Sequence, residues 1–562
     1  MFDRITKTSL THEAAPLLYR PPGAAPLHDN RSNFRRRLAI FIILVSTAFE
    51  RLAFYSLIGN LLLLLASKSF QWKQFNALTT SFIFLGTSYV SALFSAWLSD
   101  AKLGRAKTII GGYIIYCIGY CIFLLFTFDS INKVCSTSTG DKLYQEKCSP
   151  ILLSTLIVIA LGSGAVQSNV AVFGAEQVQN LGSVETCIYF HKYYAVVNFG
   201  GFLALGIISY IQQNLSTSIP YGYIIPTGLL IIGAGLFICS YRLFIHSPPY
   251  DSVITLFIPV MLNAFRSKRK HSRLESMQQN RQNNSEEQSL GRSNSNSITG
   301  ASRQIDRSIN GSQQVGFIDF AKSSNGGKFI DRVVEDIKLL KYVIVVFLLL
   351  IPYWLIYFQA ETTFVIQGLH MKVPSLGIDR GMPPIWLSLG DQVIIIFIII
   401  FLNSFVYPRV SIKIETRFII GMVCNQTYDA SNLTIFLQFP QYIAIGVSEV
   451  FTSIASLEFA YLTAPRSAKS LIMSLRFCSH GISSFLSSGY LNLFISNPKE
   501  SKQCELNGSL YFYILAGIQI LFIFIIIWLN KKFNIFRILP QKFRNDYFSA
   551  TDSISRSNET DA

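Results

Sequence analysis

The sequence predicts an all-α polytopic membrane protein with about eleven crossings. Three observations carry that expectation: apolar stretches recur along the whole chain, half the residues are hydrophobic with only 14% charged, and Lys and Arg gather between alternate stretches. A hydrocarbon core about 30 Å thick needs roughly 20 mostly apolar residues per helical crossing. Stretches of that length fall at 38–66, 78–99, 107–128, 150–173, 189–211, 221–245, 338–367, 385–407, 433–460, 470–496 and 509–530. They are too long and too uniformly apolar for barrel strands, so the spans are helices.

Residues 1–37 form a polar tail with no short apolar stretch and cleavage site, which reads as lacking a secretory signal peptide. Within it Glu13-Ala-Ala-Pro-Leu17-Leu18 has the pattern of an acidic dileucine sorting signal read by adaptor proteins. Residues 38–245 hold six spans, and 338–530 hold five. Arg31 and Arg35 to Arg37 precede the first span, Lys102, Arg105 and Lys107 join the second and third, and Arg266, Lys268, Arg269, Lys270 and Arg273 lie in the 246–337 connection. Basic loops stay in the cytosol, so the amino terminus and the long connection are expected there. Residues 266–315 are rich in Ser, Asn, Gln and Arg and poor in apolar residues, which predicts a largely disordered linker between two helical halves. Residues 531–562 form the last tail. The net charge of +16 is assigned to topology and anionic lipid rather than to nucleic acid, because no basic, aromatic stripe on a soluble domain accompanies it.

Glycosylation sequons at Asn214, Asn425, Asn432 and Asn507 fall where this orientation puts the lumen, and there the count of spans breaks. Arg409, Lys413 and Arg417 should be cytosolic, yet the sequon at Asn425 begins eight residues after Arg417. The seven residues between them reach only about 10 Å as helix, a third of a crossing. Beyond the gap the charges resume as though a crossing had occurred, with Arg466, Lys469 and Arg476 read as cytosolic. Either one helix is absent from the chain, by splicing, gene-model omission or deletion, or the second half sits inverted.

An ionisable group at the bilayer centre costs about 2.5–3.5 kcal/mol on insertion scales and usually faces a polar cavity. Glu50, Arg51, Glu361, Glu449 and Glu458 are the candidates. Neighbours on a helix point about 100° apart, so Glu50 and Arg51 are expected to seek partners on other helices rather than each other. His191, His246 and His480 share no face and receive no role. No metal-ligand cluster, phosphate-cradling glycine loop or nucleophile triad survives membrane placement, so an enzyme is not expected.

The run Phe49-Glu50-Arg51-Leu52-Ala53-Phe54-Tyr55 resembles the helix-one motif of the proton-dependent oligopeptide transporter family of the major facilitator superfamily. Asp100 to Lys107, Phe173-Gly-Ala-Glu-Gln177, and Glu458-Phe-Ala-Tyr461 with Ala464-Pro465 resemble further motifs of that family. The stretch Ile351 to Gln359, with Thr362, Thr363 and Gln367, is similar to its lysosomal peptide/histidine branch, as is the Glu13, Leu17, Leu18 tail.

The resemblance implies a two-bundle fold of twelve helices, with helix nine the absent one, rocking around a central site. It implies that Arg51 holds the substrate carboxylate, that Asn198 and Glu458 sit near the substrate amino group, and that Tyr55, Tyr193, Tyr194 and Trp354 shape the pockets, with Asp391 also facing the site. No cofactor is implied beyond protons as coupling ion. Substrates would be histidine or small peptides, carried from a lysosomal or late endosomal lumen. The chain departs from the family at Thr47, where a Glu is usual, and at Gln167, where a Lys is usual. Proton coupling would then rest on Glu50 and Glu458, or on Glu361 as a substitute. Two further readings stay open: an uncoupled carrier of the same fold, and a non-transporting endolysosomal membrane scaffold.

Overall fold

The computed structural model describes residues 32–67, 70, 72–128, 142–181, 183–214, 219–246, 253–290, 316–360, 362–371, 383–401, 435–463, 469–493 and 508–533. The sorting residues Glu13, Leu17 and Leu18, the sequons at Asn425, Asn432 and Asn507, residue Glu361, and the interval from Ile419 to Asn432 where the charge pattern expects a further crossing all lie outside the described residues. The chain divides into two compact units, Met1–Tyr250 with Val343–Ala562, and Asp251–Tyr342.

The first unit opens with α1 (Asn33–Ala66), whose cap Ser32 accepts a hydrogen bond from the Arg35 backbone at 3.3 Å. Arg35 to Arg37 in its opening turns oppose the helix dipole and do not stabilise the helix there. Next come α2 (Gln74–Leu98), prolonged by a π turn Ser99–Leu103, and α3 (Arg105–Thr127). Gly104 separates them at φ +80°, a conformation that side chains with a Cβ resist. Then follow α4 (Lys142–Val178) and α5 (Ser183–Leu203), the latter carried on by a π turn Ala204–Ile208 and a short helix ending at Asn214, and then α6 (Ile219–Cys239). Helix α3 packs along α4, α2 along α4, and α1 against α5 and α6.

The second half of this unit differs from one uniform span over 338–367. There α8 (Asp331–Leu349) gives way to α9 (Ile351–Tyr357), and after a turn through Phe358 to Α10 (Thr363–His370). Pro352 brings no N–H and crowds the carbonyl a turn before it, which breaks the ladder at Leu350. Beside the break, the Ser483 hydroxyl donates to the Ile351 carbonyl at 2.6 Å. The half is completed by α11 (Leu387–Phe401), α12 (Phe439–Thr463), α13 (Lys469–Asn492) and α14 (Gly508–Phe533). Among the described residues eight helices are long and apolar enough to cross a membrane. Helix α13 owes its polarity to buried serines, including Ser474, Ser483, Ser484 and Ser487, along with Arg476 and His480.

The second unit corrects the disordered reading of 266–315 over its first part, because α7 runs without interruption from Val253 to Leu290. Two features of the sequence explain it. Its residues beyond Phe265 are mostly Arg, Lys, Gln, Glu, Met and Leu, which form helix well. Its earlier turns are also anchored: Lys268 lies 5.6 Å from the Phe317 ring, His271 packs edge-on to Phe320, and Asn263 accepts a hydrogen bond from the Lys328 backbone. Asp319 holds this turn together by ion pairs to Lys322 at 2.7 Å and to Lys338.

Partial burial pushes the Asp319 carboxyl upward, but the hydrogen bonds from Lys322 and Lys338 outweigh it and hold the group below the ordinary carboxylate range. A depressed acid stabilises the fold above its unfolded value, and that contribution is lost as pH falls through the folded value, below about 4. Asp319→Asn is therefore expected to speed amide exchange over 316–338 at neutral pH. The difference from the unaltered protein should vanish in strong acid. Equal exchange at pH 7 would refute the role of this ion pair.

Candidate substrate and proton site

Glu50 and Arg51 are both buried midway along α1, and they bind each other. Arg51 Nε donates to Glu50 Oε2 and Nη2 to Oε1, each at 2.5 Å. This corrects the expectation that consecutive residues cannot satisfy one another. The Cβ atoms diverge by 100°, but the long, flexible Glu and Arg chains bend their ends together into a bidentate fork. The Arg51 guanidinium also lies 4.7 Å from the Phe54 ring. Thr47, one turn before, spends its hydroxyl on the Ile43 carbonyl at 2.8 Å. Gln167 on α4 is buried with its Oε1 unmatched by any donor. The two altered positions are thus uncharged, and among the described residues Glu50 is the carboxylate that pairs with Arg51.

Helix α5 supplies the next group. Tyr194 donates its hydroxyl to Glu449 Oε1 on α12 at 2.9 Å, joining the two halves. Asn198, also buried, donates to the Tyr194 carbonyl at 2.8 Å, and Tyr193 is buried within Coulombic range of Arg51 and Glu50. Tyr55 packs beside Leu52, Ala204 and Ile208. Asp391 is buried on α11, where Gln392 Nε2 donates to its Oδ2 at 3.4 Å. Glu458 lies on α12, and its side chain is outside the described residues, as is that of Asn214 at the end of the short helix after α5.

Glu449, one of the candidate intramembrane charges, joins this layer together with two residues not among them, Arg476 and His480. Glu449, rather than Glu458, is the carboxylate described between the halves. Arg476, read as a cytosolic charge, is buried two turns inside α13, where its Nε donates to Ser456 Oγ at 2.7 Å. Its Cζ stands 5.7 Å from the Trp354 ring and 5.5 Å from the Phe477 ring. His480, one turn further, stacks on buried Trp354 with ring centroids 3.5 Å apart and lies 5.3 Å from Tyr89. The signal was present as an Arg and a His four apart on one face of a span. It was hidden because Arg466 and Lys469 begin a basic run that suggests a loop.

The halves meet on both sides of this layer. Where α2 ends, Arg105 pairs with Asp100 at 2.9 Å, with Glu176, and with Ser470 Oγ at 2.6 Å. Along α2 and α13, Ser484 donates to the Phe82 carbonyl at 2.8 Å. Toward the far end of α5, Trp386 Nε1 donates to the Gly206 carbonyl at 3.1 Å and its ring stacks on Tyr210. Among the described residues no group of three His, Cys, Asp or Glu side chains is placed to hold a metal ion.

The POT family model matches residues 106–427 and 419–506, most of the chain. The chain belongs to the POT family. Its two matched stretches meet within 419–427, inside the interval where the charge pattern lacks a crossing. Among POT relatives, solute carrier family 15 member 3 of Mus musculus is 28% identical over 91% of this chain and 94% of its own. Protein NRT1/PTR FAMILY 8.1 of Arabidopsis thaliana is 26% identical over 92% of this chain and 97% of its own. The fold is that of solved POT transporters. The structure of PepTSo superposes with a TM-score of 0.65 at 19% identity, covering 88% of this chain and 98% of that one. A peptide transporter POT in complex with alafosfalin gives 0.59 at 14% identity, covering 94% and 98%.

Proposed function

We propose that this POT protein is a proton-coupled carrier moving histidine and di- or tripeptides from an acidic organelle lumen to the cytosol. The observation that carries this reading is the Glu50–Arg51 pair, buried beside the Tyr194–Glu449 link between the halves. A guanidinium fork suits a carboxylate, and in this state Glu50 occupies it. A proton on Glu50 removes its charge and frees Arg51 for the substrate's carboxylate, so that substrate and proton enter together. Tyr55, Tyr193, Asn198 and Trp354 supply the walls and polar contacts, and Glu449 or Glu458 faces the amino group. In this reading residues 1–37 are a cytosolic tail whose Glu13, Leu17 and Leu18 bring adaptors and endolysosomal delivery. Residues 246–337 are then a cytosolic connection, and 531–562 a second tail. Thr47 and Gln167 favour a second reading, an uncoupled carrier, because the charges usual at those positions are gone.

Uptake of labelled histidine and a dipeptide decides between them, in cells displaying the Leu17→Ala, Leu18→Ala protein with its surface amount measured. Coupling requires uptake to rise as the outside is acidified and Glu50→Gln to remove that rise. Uptake indifferent to pH supports the uncoupled carrier. An unchanged internal location of the double-alanine protein would end the sorting claim.

A further inference from the structure

Arg476 is a buried cation that the carrier reading leaves without a task. It is only 8% exposed, yet among the described residues no carboxylate comes within ion-pair distance of it. Its Nε is spent on Ser456 Oγ, and the faces of Trp354 and Phe477 lie beside it. Neither ring nor hydroxyl supplies a countercharge. The contrast with Arg51 is direct, since that guanidinium is neutralised through two hydrogen bonds by Glu50. Glu449 senses Arg476 through space but accepts its hydrogen bonds from Tyr194 and Tyr357. Tyr193 lies within Coulombic range of Arg51 and Arg476 alike, which puts both guanidinium groups around one part of the interior. The neighbours also prepare the site. Trp354, stacked on His480, carries a buried indole N–H with no acceptor among the described residues, a second donor in the same cluster. A buried charge without a partner is strongly disfavoured unless a ligand meets it.

We propose that Arg476 and the Trp354 indole N–H form an anion subsite in the second half of the carrier, which takes a carboxylate of the transported molecule beyond the one held by Arg51. The inference rests on the carrier reading above and narrows its substrates to those bearing an additional acid, such as peptides with an Asp or Glu side chain. The terminal nitrogens of Arg476 supply the charge and the planar fork, and the indole supplies the side donor. Ser456 and the two rings hold the guanidinium in register.

The test is equilibrium binding to the purified full chain of two near-isosteric dipeptides, Ala-Asp and Ala-Asn. Ala-Asp is expected to bind at least about tenfold more tightly in the unaltered protein, a difference of about 1.4 kcal/mol. Arg476→Gln should bring the ratio close to one, and Arg476→Lys should keep part of it. Equal affinities in the unaltered protein, or an undiminished ratio in Arg476→Gln, would overturn the subsite. If neither peptide binds, the peptide reading fails and the subsite is judged separately with inorganic sulfate. A sulfate-dependent rise in melting temperature that Arg476→Gln removes upholds it, and identical melting in the two proteins rejects it. Should Arg476→Gln not fold, Trp354→Phe removes the indole donor while keeping an aromatic ring beside His480 and Arg476, and is expected to lower the Ala-Asp preference severalfold. An unchanged preference in that variant overturns the subsite equally.

Discussion

Arg51→Met is expected to abolish transport and destabilise the protein, while Glu50→Gln combined with Arg51→Met restores the stability alone. The single change leaves the Glu50 carboxylate buried without its fork. Removing one partner of a buried pair costs about 3–5 kcal/mol, whereas replacing both can be nearly neutral. Thermal melting of the three proteins in detergent reads that sign. Transport separates function from folding, since neither altered protein keeps the buried cation midway along α1 for a carboxylate. Uptake at equal surface amount should fall at least about a hundredfold, worth about 2.7 kcal/mol. A double variant as unstable as the single one would show that Arg51 has other obligations in the fold. A double variant that transports would remove Arg51 from the substrate site.

Gly481→Ala is expected to force α2 and α13 apart and cut turnover more than tenfold. A Cβ at Gly481 would lie 2.6 Å from Val90 Cγ2 and 2.8 Å from the Gly86 carbonyl oxygen. The valine methyl can turn aside, but the carbonyl belongs to the rigid body of α2. Overpacking of this kind costs about 1–3 kcal/mol, enough to move a two-state population by about tenfold or more. Spin labels at the exposed positions Phe94 and Leu486 should show a longer distance in the variant. Gly517→Ala on α14, where a Cβ meets nothing within 4 Å, serves as the control and should leave distance and turnover unchanged. An unchanged distance in Gly481→Ala would mean that the two helices part elsewhere.

Most of the architecture was legible because length and hydropathy act segment by segment. The six apolar stretches from 38 to 245 became α1 to α6, with ends shifted by turns that polar residues extend into, as at Lys142 of α4. The break in 338–367 was not read, since apolar composition continues through it and Pro352 alone announces the interruption. Helix over 266–290 was missed because composition measures whether a segment can bury itself. A polar helix anchored through Asn263, Lys268 and His271 does not need to.

At the site, Arg51, Tyr193, Asn198 and Trp354 are buried and Tyr194 bonds Glu449, positions that the motifs single out directly in the sequence. The Glu50–Arg51 bond was lost to an argument about Cβ directions that ignored how far the two side chains reach. Arg476 and His480 lie near a basic run that reads as loop, and their burial depends on partners on other helices, from Ser456 nearby in the chain to Tyr89 far from it.

Many of the buried hydroxyls answer to their own helix. Those of Thr47, Ser56, Ser81 and Thr227 bond the carbonyl one turn back, and Ser474 and Ser479 bond one three residues back. Each helix therefore takes its polarity along when it tilts, and rocking strands none of these groups in lipid. What must be undone is the smaller set that joins the halves, at Arg105–Ser470 and Ser484–Phe82 beside α2, or at Trp386–Gly206 beyond α5. At about 0.5–1.5 kcal/mol net for each bond, letting go of one side asks only a few kcal/mol. Parting the halves on one side therefore breaks few hydrogen bonds, and the polar groups that stay behind keep their partners within their own helices.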